Sequence, residues 1–262
     1  MQIDLNADLG EGFGPWRMGD DAAMFRLVTT ANIACGFHAG DPETMRSAIC
    51  LARDRGVAVG AHPGYADLVG FGRRPQAGVT AREIENLVAY QVGAFAAMAA
   101  LCDHRATHAK THGALGNACA DDDTLADAVA RGIRAADPSL AFIVMPGTAT
   151  ERAAERAALR PIREIYADRS YADSFNLADR RTPGAVLHDT DLIVQRVMRM
   201  IGEGTIESAG GRRLKVEIDS VCVHGDTPGA VAMAGALRAA LAAAGWTVAC
   251  AVPPPTDLRP RP

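Results

Sequence analysis

Five short apolar runs in this chain end in turns crowded with glycine and with histidine or acidic side chains. They are Ile3-Asp-Leu-Asn-Ala-Asp-Leu-Gly-Glu11, Asn32-Ile-Ala-Cys-Gly-Phe-His-Ala-Gly-Asp41, Gly60-Ala-His-Pro-Gly64, His108-Ala-Lys-Thr-His-Gly113 and Cys222-Val-His-Gly-Asp-Thr-Pro-Gly229. A chain that repeatedly ends a strand in a polar turn is assembling one site from many strand ends. That is the plan of a (β/α) barrel, in which the C-terminal ends of the strands face a common pocket.

The rest of the pattern agrees. Strand-like runs at residues 3–6, 31–35, 57–60, 107–110, 142–145, 162–165 and 220–224 alternate with helical periodicity, which argues for parallel βα units. Several helix starts are explicit. Asp41-Pro42-Glu43 supplies a cap, a proline at the first helical position and an acid in the first turn, and that helix should end near Gly56. Thr80-Ala-Arg-Glu83 reads as a capping box for a helix whose Ile84, Leu87, Val88, Phe95 and Met98 share a face. Asp121 to Asp123, Asp189 or Thr190, and Thr227-Pro228 open three more. Seven strands suggest an irregular barrel, with a doubly wound open sheet as the alternative. At 262 residues the chain fits a single barrel domain, with a hairpin insertion near 205–216 and an extended Pro-rich tail from Pro253.

Composition narrows the function classes. Twenty-seven basic and 31 acidic residues give a net charge of -4 and no basic run, which disfavours nucleic acid as a partner. No export signal, no uninterrupted apolar stretch long enough for a bilayer and no CxxC pair are visible, so the expectation is a cytoplasmic protein with reduced cysteines and no membrane partner. Neither GxGxxG nor a P-loop is present, so the chain lacks the common nucleotide cradles.

The candidate chemistry lies at the strand ends. Alternation puts Asp4, Asn6 and Asp8 on one side of the first strand, with Glu11 just beyond it. His38, His62, Lys110, His112 and His224 follow other strands, and Glu164 ends the sixth. Asp8, His38, His62 and His224 have suitable ligand chemistry for a divalent metal, although no HxH or HExxH unit fixes the set. Arg73, Arg74 and Arg180 are candidates for holding a carboxylate or phosphate. Asp168-Arg169 reads by default as an ion pair. Cys35 reads as a buried, inert thiol, and His104, His108 and His188 read as structural.

Together these segments resemble the A-subunit family of 5-oxoprolinases, also called the lactam-utilisation family. The resemblance rests on Asp4-Leu-Asn-Ala-Asp-Leu-Gly-Glu11, on the run from Asn32 to Asp41, on Ala61-His-Pro-Gly-Tyr65 with Gly70-Phe-Gly-Arg-Arg74, on Ala167-Asp-Arg169, and on Val223-His-Gly-Asp-Thr-Pro-Gly229. It implies an irregular seven-stranded TIM-like barrel, similar to the glycoside hydrolase/deacetylase group. It also implies ATP-dependent opening of 5-oxoproline to glutamate in company with partner subunits B and C of 5-oxoprolinase. Two places depart from the family pattern. Thr111 and Gly116 stand where proline and tyrosine are common, and Asp179 stands where a proline is usual.

Opening a lactam needs a water nucleophile, a general base and oxyanion stabilisation. On this reading Asp8, Glu11 or Glu164 is the base, and His38, His62, His112 and His224 move protons or bind metal. Asn6, Arg73, Arg74, Arg169 and Arg180 contact substrate. Lys110 helps hold the carboxylate or a phosphate, with ATP bound mainly by the partners. Replacing His62 or Lys110 by Ala is expected to abolish turnover and spare the fold. Two other readings remain: a self-sufficient metal-dependent amidohydrolase or deacetylase acting on another small amide or lactam, and a non-catalytic binding subunit.

Overall fold

The computed structural model describes residues 1–225 and 229–253. The elements run β1 (Gln2–Leu9), α1 (Asp21–Met24), β2 (Thr30–Ala34), α2 (Pro42–Arg55), β3 (Ala58–His62), α3 (Ala81–Leu101), β4 (Ala106–Ala109), α4 (Gly113–Asp121) and α5 (Asp123–Ala136). They continue with β5 (Ala141–Val144), α6 (Ala149–Arg156), β6 (Pro161–Tyr166), α7 (Thr190–Glu203), β7 (Thr205–Glu207), β8 (Arg213–Lys215), β9 (Ser220–His224), α8 (Ala230–Ala243) and β10 (Thr247–Val248). The expected helix start at Thr227-Pro228 and the tail from residue 254 lie outside the described residues.

Strands β1 to β6 and β9 pair in parallel in that order, and β9 returns to pair with β1, so the sheet closes into a barrel of seven parallel strands among the described residues. An open sheet is thereby excluded. β10 adds to the start of β1 from outside, and β7 and β8 form a separate antiparallel hairpin.

Two kinds of core result. Outward-facing strand residues such as Leu5, Ala7, Ile33 and Val59 join the helix faces in one large apolar cluster. The 21-residue α3 is long and apolar enough to match a membrane span by length and composition, although Arg82, Glu83, Glu85 and Gln91 interrupt its apolar run. Its Ile84, Val88, Val92, Phe95 and Ala99 are buried in this cluster, and it packs beside α5 and β3.

The barrel interior is mostly polar, where such barrels usually carry branched apolar side chains. Asp4 accepts hydrogen bonds from the hydroxyls of Thr29 (2.6 Å), Thr30 (2.7 Å) and Ser220. Above it, Asn6 donates to Ser220 Oγ at 2.7 Å and accepts from Asn32 Nδ2 at 2.8 Å. The His108 ring crosses the interior to Asn32 Oδ1 at 2.9 Å, and burial drives its pKa down to about 3, so it is a neutral structural strut. Room for that ring comes from Gly60, where a Cβ would overlap both the His108 ring and its carbonyl. At the strands' N-terminal ends, Ala251 and Val252 pack against Ala141, Ile143 and Ile162. The open end of the barrel is therefore the other one, where the polar turns lie.

The explicit caps form. Asp41 accepts from the Glu43 and Thr44 amides and α2 stops at Gly56, Thr80 and Glu83 close their box, Asp122 caps α5 and Asp189 caps α7. Amide hydrogen bonds from Thr44 and Gly14 hold the Asp41 pKa down at about 2. All six cysteines are free, and burial pushes the Cys35 thiol up to about 12, in keeping with an inert side chain.

Two outcomes follow for denaturant titrations. Gly60→Ala should lose about 1–3 kcal/mol or more, because the overlapped atoms include backbone; a change within about 0.3 kcal/mol of zero would mean the ring has room to move. Asp41→Ala should lose about 1 kcal/mol at neutral pH. The folded-state pKa of Asp41 lies below its unfolded value. Its contribution is therefore full above the ordinary aspartate range and is lost as pH falls toward about 2, so wild type and variant should converge in acid.

Candidate active site

A cavity of about 610 Å³ opens at the C-terminal end of the barrel. Its walls include Asp8, Glu11, His62, Lys110, His112, Glu164 and His224, and its mouth includes Arg73, Arg169 and Arg180. Ten of the thirteen residues singled out from the sequence thus meet in one place, each delivered by a strand end or the turn after it. His38 lies just behind, its ring stacked on that of His112 at 3.7 Å and 4°.

Two assignments change. Asn6 sits one layer below the cavity, where its amide is used by Ser220, Asn32 and Lys110, so it supports the site from beneath. Arg74 is 62 % exposed and its guanidinium is bound to Asp67, with Nε 2.9 Å from Oδ1, so it braces the loop at residues 67–74 outside the cavity.

At the cavity floor the Lys110 ammonium lies 2.7 Å from Glu164 Oε2, 3.0 Å from Asp8 Oδ1 and 3.1 Å from Cys222 Sγ. Burial alone would strip its proton, but Asp8, Cys222 and Glu164 outweigh that and hold the amine charged, well above the usual lysine range. Burial likewise works against the Asp8 carboxylate, and His62 and Lys110 reverse it, holding Asp8 well below the usual range. Asp8 is fixed further by Asn32 Nδ2 at 2.8 Å. Both of these Lys110 ion pairs are buried.

On the opposite wall, His224 Nδ1 is 2.8 and 3.0 Å from the two oxygens of Asp168. A carboxylate can only accept, so Nδ1 carries a proton, and in the neutral ring Nε2 keeps its lone pair. Asp168 therefore pairs with His224, whereas the sequence suggested its neighbour Arg169. The Arg169 guanidinium instead donates to the carbonyls of Ala178 (2.6 Å) and Ala185 (3.2 Å), tying down the loop that carries Arg180. Burial and the nearby Arg180 lower the Arg169 pKa to about 10, the mark of several cations gathered at one mouth.

Four donors gather on the remaining wall. Glu11, His38, His62 and His112 are all buried, with one ligand atom of each within 4.8 Å of the others, so this cluster could hold a metal ion. The sequence grouped His38 and His62 with Asp8 and His224. Asp8 is instead engaged by Lys110 and His224 by Asp168, and Glu11 and His112 take their places in the cluster. The roof is the glycine loop. A Cβ on Gly64 would lie 2.7 Å from His38 Nδ1, and one on Gly72, at φ +61°, would lie 2.7 Å from His38 Cβ and 2.9 Å from the His112 ring. Only glycine lets the backbone pass this close.

Tyr166 and Asp168 were not singled out as site residues, yet Tyr166 lines the cavity and stacks on His224 at 5.4 Å. The two-residue alternation that placed Glu164 inside also places Tyr166 there. Asn176 and Arg181, on the loop after β6, line the cavity without any local sequence signal.

Comparison with known proteins agrees with this geometry. The chain is 56% identical over 248 residues to the A subunit of a 5-oxoprolinase from Rhodopseudomonas palustris (strain BisB5), covering 95% of this chain and 98% of that one. It is 55% identical over 249 residues to the corresponding 5-oxoprolinase protein from Nitrobacter hamburgensis, with the same coverage. The crystal structure of a lactam utilization protein from Thermus thermophilus superimposes with a TM-score of 0.88 at 42% identity, over 95% of this chain and 99% of that one. The LamB/YcsF family model matches residues 3–255, and this chain belongs to that family.

Proposed function

We propose that this chain is the ring-opening component of an ATP-dependent 5-oxoprolinase, hydrolysing the cyclic amide C–N bond of 5-oxoproline to give L-glutamate. Partner subunits B and C supply the ATP chemistry, in keeping with a sequence that carries neither GxGxxG nor a P-loop. The reading is supported by whole-length identity above 50% to proteins of that name. The observation that carries it is the pairing, in one cavity, of a buried ammonium with an Asp–His couple.

In this scheme the arginines at the mouth hold the substrate carboxylate, and the lactam oxygen, or a phosphate placed on it by the partners, lies toward Lys110. The ammonium then stabilises the charge that develops on oxygen when water adds to the ring carbonyl. His224, aligned by Asp168, takes the proton from that water through Nε2 and returns one to the departing ring nitrogen. Water's oxygen ends in the new side-chain carboxyl group and its two protons on the new ammonium; where the partners have phosphorylated the lactam oxygen, C–N cleavage leaves an acyl phosphate, which a second water splits to carboxylate and inorganic phosphate. Asp8 and Glu164 are occupied in keeping Lys110 charged, which makes them weaker candidates for the base than His224. A metal-dependent amidohydrolase working without ATP is the second reading, favoured by the Glu11, His38, His62 and His112 cluster.

The test is 5-oxoproline-dependent ATP hydrolysis and glutamate release, with this chain added to or withheld from the two partner subunits. Glutamate only in the complete mixture is the expected result. Glutamate or another amine product without ATP would favour the second reading, and no product beside a working reference protein would reject the substrate.

Variants sharpen the assignment. His224→Ala should lower turnover by at least about 100-fold with the fold kept, and Asp168→Asn should fall between it and wild type. Lys110→Ala should not spare the fold, contrary to the expectation from sequence. It strands two buried carboxylates, and a loss of about 3–5 kcal/mol in urea unfolding is expected. Wild-type stability of Lys110→Ala would show that water replaces the ammonium.

A further inference from the structure

The three pocket-lining members of the histidine–glutamate cluster include two rings whose orientations are set by backbone carbonyls. His62 Nδ1 is 2.8 Å from the Lys110 carbonyl oxygen, and His112 Nε2 is 2.8 Å from that of Phe71. A carbonyl accepts only, so each of these nitrogens carries a proton and donates it. In the neutral ring the other nitrogen of each is left with its lone pair. Those two nitrogens, His62 Nε2 and His112 Nδ1, face each other at 3.0 Å. Glu11 Oε1 lies 3.5 Å from His112 Nδ1 and 3.4 Å from His38 Nε2. Behind His112, His38 is 1% exposed and neither of its ring nitrogens makes a hydrogen bond.

Electron pairs from His62 and His112 thus converge in a buried space beside His38 and Glu11, which is unfavourable unless a cation sits between them. A proton shared by His62 and His112 would relieve that pair alone and leave His38 unsatisfied. A divalent ion satisfies the whole set. Three of the six separations, at 3.0–3.5 Å, are close to the edge of a tetrahedron with bonds of about 2.0–2.1 Å, roughly 3.3 Å, and all six lie within 4.8 Å. Tethering of the second ring nitrogen to a backbone carbonyl is the usual support for a metal-binding histidine.

We propose that Glu11, His62 and His112, with His38 as a fourth donor, bind one divalent transition-metal ion of the zinc type at the wall of the cavity. Because the His38 ring lies parallel to that of His112, it reaches the same ion only by rotating, and no hydrogen bond opposes that rotation. The site is therefore a firm three-donor set with a looser fourth, and it faces the cavity, since Glu11, His62 and His112 line it. Asp8 Oδ2 stands 3.4 Å from His62 Nε2, but its other oxygen is committed to Lys110 and Asn32, which keeps it beside the set. The proposal is independent of the ring-opening reading, and its readout is binding.

The experiment uses the untagged full chain, stripped with a chelator and then dialysed against zinc(II) or cobalt(II). Elemental analysis after gel filtration should find about one ion per chain, with visible cobalt bands of a low-symmetry site. Glu11→Gln, His62→Ala and His112→Ala should each weaken binding at least about 100-fold, His38→Ala about 10-fold, and exposed His188→Ala not at all. X-ray absorption on the zinc-loaded wild type requires no variant and should show nitrogen and oxygen neighbours near about 2.0–2.1 Å and no sulfur. Failure of the wild type to retain an ion, a sulfur neighbour, or retention unchanged in all four cluster variants would overturn the proposal.

Discussion

One buried ammonium organises this site. Lys110 leaves the end of β4 and spans the barrel to Glu164 on β6 and Asp8 on β1, so a single charge ties together strands that are not neighbours. Placing any one of these three groups alone at such depth would cost several kcal/mol. Together Asp8 and Lys110 hold each other charged, and the cavity floor becomes a fixed ion pair with Glu164 2.7 Å from the ammonium. The layers beneath exist to carry it. Asn32 holds Asp8, His108 holds Asn32, and the missing side chain at Gly60 gives the His108 ring its place. The polar interior, unusual for a barrel of this kind, is thus a continuous hydrogen-bonded support for one charged contact.

The same floor separates two chemically different walls. On one, Asp168 commits His224 Nδ1 to donation and leaves Nε2 facing outward as a proton acceptor. On the other, carbonyls commit His62 Nδ1 and His112 Nε2 to donation, so that His62 Nε2 and His112 Nδ1 face each other beside Glu11. In each case the chemistry is set by what holds the far side of the ring. On the proposed reading, one histidine moves protons and the others hold a cation.

Much of this was legible in the sequence because strand ends and helix starts use strong local signals. The seven strands stood out as short apolar runs ending in polar turns, and α2, α3, α5 and α7 were readable from Asp41, Thr80, Asp122 and Asp189, which cap through their own side chains. Helices α4 and α6 were not readable, and there His112 and Thr148 make no side-chain cap. The membership of the cavity was largely legible too, since alternation fixes which residues of a strand point inward. The partnerships were not. Whether Asp168 meets Arg169 or His224, whether Arg74 turns to substrate or to Asp67, and which histidines share a cluster all depend on contacts between strands and loops far apart in sequence.

The central claim, a charged Lys110 locked between Asp8 and Glu164, has an unusually clean spectroscopic test, because the chain contains only two lysines, Lys110 and Lys215. Nitrogen-15 NMR of the lysine side chains at neutral pH should show one freely exchanging signal from exposed Lys215. It should show a second, from Lys110, coupled to three protons and protected from exchange with water. A Lys110 signal with the character of a neutral amine, or one exchanging as fast as that of Lys215, would contradict the account.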